Sequence, residues 1–274
     1  MILAALALAT AACGGNDEEE TRVDTGADTA AQSSGEYHGS NVPNGGRITG
    51  RVVLAGQPPK LEDFTINADE SVCAPASPNN RLSLGSGGGI ASAVVFIEGI
   101  RQGKPMPDLP EGERTMDQRN CQYVPHIVVA PVGSHVVFTN GDDASHNVRV
   151  EDAGGRVMMN QAQPVRGRRD SMMVEHAGPV SVGCDYHPWM NAYVFGVDNP
   201  YYAVTDSSGA FTLADVPPGS YTVKMWLNGF AALPRKDNQG RIIRYAYSEP
   251  YLLERQVTVT AGSAEELTFE VSAR

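Results

Sequence analysis

Cys184, His187 and Met190 fall within one seven-residue stretch, Cys184-Asp185-Tyr186-His187-Pro188-Trp189-Met190. A thiolate, an imidazole and a thioether at this spacing form the soft ligand set of a mononuclear electron-transfer copper site. Each of the three is three residues from the next, so one tight loop can aim all of them at a single ion, and Pro188 stiffens the loop by fixing its own φ. A fourth ligand must come from elsewhere. The best candidate is His146, which follows a strand ending in Phe138-Thr139-Asn140 and a polar loop, and opens a new strand. Cu(I) favours sulfur and low coordination, whereas Cu(II) favours nitrogen and a tetragonal arrangement. One thiolate and two imidazoles in a trigonal plane with a weak axial Met suit both states, so little moves on electron transfer. Zinc would call for a closed tetrahedral set, usually with more Cys or His and no Met.

The Cys-x2-His-Pro-aromatic-Met loop, preceded 38 residues earlier by Ser145-His146-Asn147-Val148, resembles the blue (type 1) copper proteins of the cupredoxin family, and in loop length the amicyanins. Val132-Gly133-Ser134-His135-Val136-Val137-Phe138-Thr139-Asn140 is similar to the strand turn that precedes the first ligand in that family. The resemblance spans roughly residues 115 to 198. It implies one type 1 copper held by His146, Cys184, His187 and Met190, with Asn147 tying the first ligand strand to the Cys184 loop. It also implies that His187 lies at the surface as the electron exit, with Pro188 and Trp189 as an apolar docking patch.

The remaining chain reads as strands closed by turns. Arg47 to Leu54 alternates and is followed by Ala55-Gly56-Gln57-Pro58-Pro59; Ala91 to Ile97, Ala203 to Leu213, Val216 to Met225, Gln256 to Thr260 and Glu265 to Val271 continue the pattern. The strings Thr205-Asp206-Ser207-Ser208-Gly209-Ala210-Phe211 and Val216-Pro217-Pro218-Gly219-Ser220-Tyr221-Thr222-Val223 resemble the carboxypeptidase regulatory-like (transthyretin-like) β-sandwich, a structural or binding module. The opening pieces of that module sit about a hundred residues upstream, at Gly50 to Pro58 and Ala93 to Ile97. The expected fold is therefore all-β, a cupredoxin Greek-key β-sandwich at 101–199 inserted into a discontinuous transthyretin-like sandwich at 46–100 and 200–272. A tandem arrangement, with one large N-terminal copper domain and a separate C-terminal sandwich, is the alternative.

Residues Ile2 to Ala12 are an apolar, Ala/Leu-rich run ending at Thr10-Ala11-Ala12-Cys13, which resembles a bacterial lipobox; the usual Lys/Arg n-region is missing. Residues 1–12 are thus expected to be a signal peptide and Cys13 the lipidated first residue of the mature protein. Gly14 to Gly45 carries seven carboxylates against Arg22 alone, −6 of the formal −11, without apolar periodicity. Such a segment cannot bury enough surface to fold and is expected to be a flexible acidic tether over 13–45. The folded remainder is only mildly acidic, which argues against nucleic acid as a partner. With Cys13 assigned to lipid and Cys184 to copper, Cys73 and Cys121 remain as a pair that an oxidising envelope would join, stapling the two sandwiches.

Other residues carry less. His126 could in principle bind a second ion, but neither it nor His38, His135 or His176 has a partner spaced to help. The doublets Met158-Met159 and Met172-Met173 suit core filling, one side chain in and one out, better than Cu(I) trafficking. Arg166-Gly167-Arg168-Arg169 reads as a solvated turn, with an acidic partner or lipid headgroups as the alternative. No nucleophile elbow or carboxypeptidase zinc motif is present, so no enzyme is expected. The expected function is a one-electron carrier held at the membrane of a bacterial envelope, outer membrane favoured because Gly14 follows Cys13. It would exchange electrons with a c-type cytochrome or membrane oxidoreductase. The alternative is a non-redox copper-binding, delivery or structural lipoprotein.

Overall fold

A computed structural model describes residues 36–74 and 81–273. The signal peptide, Cys13 and most of the acidic segment lie outside the described residues. Among those residues, no helix is long and apolar enough to cross a membrane.

The architecture is all-β and holds two sandwiches. In the first, one sheet orders Tyr202–Val204, Val94–Ile97, Gly219–Leu227 and Tyr251–Val259, and the facing sheet orders Ala210–Val216, Gly46–Ala55 and Ala264–Ser272. Period-two alternation builds its core: Ile48, Val52 and Leu54 of one strand and Phe269 and Val271 of its parallel neighbour are buried, with Val52 opposite Phe269 and Leu54 opposite Val271. Every strand of the second sandwich lies between residues 115 and 197. Its five-stranded sheet orders Val157–Gln163, His146–Glu151, Gly178–Gly183, Asn191–Val197 and Ile127–Pro131; the four-stranded sheet orders Arg169–Met173, His135–Asn140, Thr115–Arg119 and Gln122–Val124. Met116, Val136, Phe138, Val148, Val150, Val182 and Val194 fill the space between them.

The two sandwiches meet sheet against sheet. Val95 and Ile97 face the first core, while Val94 and Phe96 of the same strand face a junction made by Ile127, Val129, Phe195, Val197 and Trp226. Strands buried on both faces need apolar residues at successive positions, which accounts for the unbroken runs Val94-Val95-Phe96-Ile97 and Ile127-Val128-Val129-Ala130. Aromatic rings lock the contact, with Tyr193–Trp226 centroids at 5.0 Å, Phe96–Phe195 at 5.3 Å and Phe195–Trp226 at 5.6 Å. At ~1.5–3 kcal/mol for each large side chain buried, the junction contributes on the order of 10 kcal/mol.

Two excursions leave the first sandwich and cover one end of the second. The chain between Ala55 and Val94 sends Phe64, Ile66, Ala68, Val72 and Cys73 into the second core. The hairpin of Ala232–Lys236 and Ile242–Tyr247 adds Ala232, Ile242, Tyr245 and Tyr247. The excursions also hold each other: Phe64 packs edge-on against Tyr245 at 4.5 Å, and the Tyr245 hydroxyl accepts the Thr65 N–H at 3.2 Å. Cys73 and Cys121 are bonded, with Cα atoms 5.1 Å apart. The bond ties the 46–100 segment to the 101–199 segment, and it does so inside the second core. Both half-cystines are fully buried in the second core, so the bridge fastens the first excursion there rather than joining two separate surfaces.

Candidate metal centre

His146 is the first residue of the strand His146–Glu151, where pairing with Gln163 fixes its backbone. Cys184 directly follows the strand Gly178–Gly183, which pairs with the far end of the His146 strand, Ser181 opposite Glu151. Two neighbouring strands therefore deliver His146 and Cys184 to the same end of one sheet. Asn147 fixes the loop between them: its Oδ1 accepts the Asp185 N–H at 2.5 Å, its amide donates to Asp185 Oδ2 at 3.1 Å, and its backbone N–H points at Cys184 Sγ at 3.5 Å. The buried Tyr123 hydroxyl bridges the carbonyls of Asn147 and Gly183, at 2.8 and 2.9 Å, from below. Turning of the loop is closed by the Met190 N–H donating to the His187 carbonyl at 2.9 Å.

The donor atoms converge. His146 Nδ1 and His187 Nδ1 are 2.9 Å apart, and Cys184 Sγ is 3.7 Å from His187 Nδ1. Donor atoms of His146, Cys184 and His187 all lie within 4.8 Å of one another, and all three side chains are buried. Both imidazoles are held by carboxylates on the opposite nitrogen. His146 Nε2 donates to Asp142 Oδ2 at 3.0 Å, and His187 Nε2 donates to Asp69 Oδ2 at 3.0 Å. That arrangement sets each ring with its Nδ1 edge toward the thiol, as carboxylate–histidine pairs do around metal ions. Asp142 is itself braced by the N–H groups of Asn120 at 2.7 Å and Cys121 at 2.8 Å.

The electrostatics favour a thiolate. Burial pushes the Cys184 thiol up, but hydrogen bonds from His146, His187 and the Asn147 N–H outweigh it and bring its pKa down to about 6. Burial pulls His146 down, and is in turn outweighed by Asp142 and Cys184, which raise it to about 9. Asp142 is lowered against its own burial by His146 and the two backbone donors. Two neutral-capable imidazoles and a thiolate facing one another in a closed, carboxylate-braced space fit a soft, thiophilic metal ion. Met190, on the same loop, is buried and forms with Cys184 part of the wall of a 390 Å³ cavity whose other side includes Trp226, Tyr245 and Tyr247.

Expectation and structure differ at the histidine edge. His187 is fully buried, not a surface residue, because Asp69 and the excursion that carries it lie over the ring. Trp189 is also buried, packs against His187 at 5.1 Å and donates its indole N–H to the Cys121 carbonyl at 3.1 Å, so it forms no docking patch. Asp142 was legible in principle, four residues before His146 in the polar loop. Asp69 was not, being 118 residues from its partner. His126 stands apart from the centre, at the junction, with Nε2 3.3 Å from Asn228 Oδ1. The arginine cluster is paired with acids: Arg166 with Asp143 at 3.0 Å, Arg168 with Asp170 at 2.6 Å, and Arg169 with Glu111.

The family model of polysaccharide lyase family 4, domain II, matches residues 189–267, a different family from the carboxypeptidase regulatory-like module that the Thr205 and Val216 strings resemble. No curated protein matches the chain. Among solved structures, a purple cupredoxin from Nitrosopumilus maritimus is similar at 26% identity and a TM-score of 0.28, over 30% of this chain and 98% of its own. Amicyanin from Paracoccus versutus is similar at 19% identity and a TM-score of 0.29, over 38% of this chain and 97% of its own. A copper-containing nitrite reductase from Thermus scotoductus SA-01 is similar at 23% identity and a TM-score of 0.27, over 34% of this chain and 24% of its own.

Proposed function

We propose that the protein is a blue-copper one-electron carrier, tethered through Cys13 to a membrane of a bacterial envelope. Its electron partner is another redox protein of that compartment, such as a c-type cytochrome or a membrane oxidoreductase. The observation that carries this reading is the convergence of His146 Nδ1, His187 Nδ1 and Cys184 Sγ, with both outer ring nitrogens already engaged by carboxylates. Copper bound there would supply a one-electron couple at near-constant geometry.

Each part of the chain has a definite task in this scheme. Cys184 is the thiolate donor, lowered in pKa by the two imidazoles and the Asn147 N–H. His146 and His187 are nitrogen donors whose orientation is set by Asp142 and Asp69. Met190, buried on the same loop, would add a weak thioether donor. Asn147 and Tyr123 hold the His146 strand and the Cys184 loop at one spacing, so that the donor atoms do not drift between redox states. Phe138, Val148, Trp189 and the two excursions keep bulk water away from the centre.

The deciding experiment is the optical and EPR spectrum of the soluble fragment from residue 36 after addition of Cu(II). An intense visible thiolate-to-copper band with a compressed hyperfine pattern, lost in Cys184→Ser and retained in Met190→Gln with a lowered potential, is the expected result. A colourless product with the wide splitting of a square-planar site would remove the carrier reading in favour of copper storage or delivery, and ready loss of Cu(I) to a chelator would do the same.

A further inference from the structure

We infer that the excursion of residues 61–73 is a cap latched over the histidine edge by the Cys73–Cys121 disulfide, and that its Asp69 is the positioning residue for His187.

Four observations converge on this. First, His187 is completely buried although the loop that bears it also carries Tyr186, half exposed, and Asp69 and Cys73 of the cap both lie against its ring. Second, Asp69 reaches His187 Nε2 at 3.0 Å while its own side chain stays 50% exposed, so the ring meets solvent only through that carboxylate. Third, Asp69 is held at φ 46°, in the left-handed region that a non-glycine residue enters at a cost, and it caps the short helix Glu70–Cys73. The packing of the cap holds that backbone, and the carboxylate it carries is aimed at the ring. Fourth, the latch sits on the ring itself: Cys73 Sγ, Cys121 Sγ and a His187 ring nitrogen lie within 4.8 Å of one another.

The bonding follows from these placements. Phe64, Ile66, Ala68 and Val72 bury apolar surface on the second core, but Asp69 has no side-chain cap bond of its own to stay in place. The covalent bond four residues later fixes it there. Cys121, the other end of the latch, also donates its N–H to Asp142, the carboxylate that holds His146. One disulfide therefore anchors the partners of both imidazoles. Opening it frees the Asp69 arm from the His187 ring while the His146 arm keeps its strand and its Asn120 contact.

The test has two arms, and only the second rests on the copper reading. In the metal-free protein, histidine acylation by diethyl pyrocarbonate is followed by peptide mapping, with the disulfide intact, after reduction by a phosphine, and in the Cys73→Ser/Cys121→Ser double variant. The cap predicts that His187 is protected in the oxidised protein and reacts at least about 10-fold faster once the bridge is open, while His146 stays protected as an internal gauge of folding. Equal protection of His187 with and without the bridge overturns the latch. A parallel gain at His146 overturns it too, since the bridge would then hold the whole sandwich rather than a cap. In the second arm, Asp69→Asn, which tolerates the left-handed backbone and keeps the side-chain shape, is loaded with copper and its reduction potential measured. A carboxylate on the outer nitrogen makes the ring a stronger donor to Cu(II), and an outer partner of this kind is worth roughly 10–100-fold in metal affinity. A 10-fold preferential loss for Cu(II) raises a one-electron potential by about 59 mV. An unchanged potential in Asp69→Asn overturns the positioning role; failure of the wild type to bind copper refutes the carrier reading and leaves the acylation arm to decide the cap.

Discussion

Replacing Asp142 by asparagine in the metal-free protein should lower the His146 pKa and destabilise the fold in a way that depends on pH. The carboxylate accepts from His146 Nε2 and from the N–H groups of Asn120 and Cys121, and its side chain is 6% exposed. Asparagine preserves the shape but turns an N–H₂ toward one of these three donors and removes the charge that stabilises the imidazolium. A rise of the His146 pKa from 6.5 to about 9 corresponds to about 3 kcal/mol at ~1.4 kcal/mol per unit. Asp142 shares that effect with the Cys184 thiolate, so the substitution should remove at least about one unit, ~1.4 kcal/mol. The backbone donors left facing an amide add about 1–3 kcal/mol. The sign follows from linkage. The raised pKa of His146 contributes stability that is complete below pH 6.5 and fades as pH rises through about 9. The lowered pKa of Asp142 contributes stability above 3.8, lost on acidification. Wild type and Asp142→Asn should therefore differ most near pH 6 and converge, apart from the backbone term, above pH 9. Proton NMR titration of His146 with urea unfolding at pH 6, 8 and 10 provides the assay. An unmoved His146 midpoint, or a stability difference flat across that range, would refute the argument that Asp142 acts as its charge partner.

Trp226→Ala should cost about 3–5 kcal/mol, because Trp226 is 5% exposed and packs against Tyr193 and Phe195 at the junction; urea unfolding monitored by circular dichroism checks this, and a loss under 1 kcal/mol would remove the junction as a main source of stability. His126 is pulled down to about 4 by burial, so it is neutral when folded and takes up a proton on unfolding. Its contribution should be intact above pH 6.5 and fall by up to about 3 kcal/mol toward pH 4, and His126→Gln should lose that acid step in paired unfolding curves. Cys13→Ser should shift the full chain from the membrane to the soluble fraction on cell fractionation; continued sedimentation with membranes would end the lipid-anchor proposal.

Local features are written into residue spacing. Alternation at Arg47 to Leu54 and Glu265 to Val271, the turn residues between strands, and the three-residue steps from Cys184 to His187 to Met190 are encoded in spacing, since period two and tight loops need no knowledge of distant contacts. The Cys73–Cys121 pair was legible from parity, because an oxidising compartment leaves few alternatives. Contacts between distant segments account for the remainder. The runs Val94 to Ile97 and Ile127 to Ala130 read as ordinary buried strands, and only the stacking of two sandwiches shows that their two faces serve different cores. The burial of His187 was illegible for a sharper reason. The family resemblance of the loop around it implies a ring that reaches solvent, whereas here the ring is met by Asp69, from a segment 118 residues upstream with no regular pattern of its own. A carboxylate in an irregular excursion carries no signal until packing and a disulfide place it, because the contact depends on where two separately folded surfaces meet and not on the residues next to it in the chain.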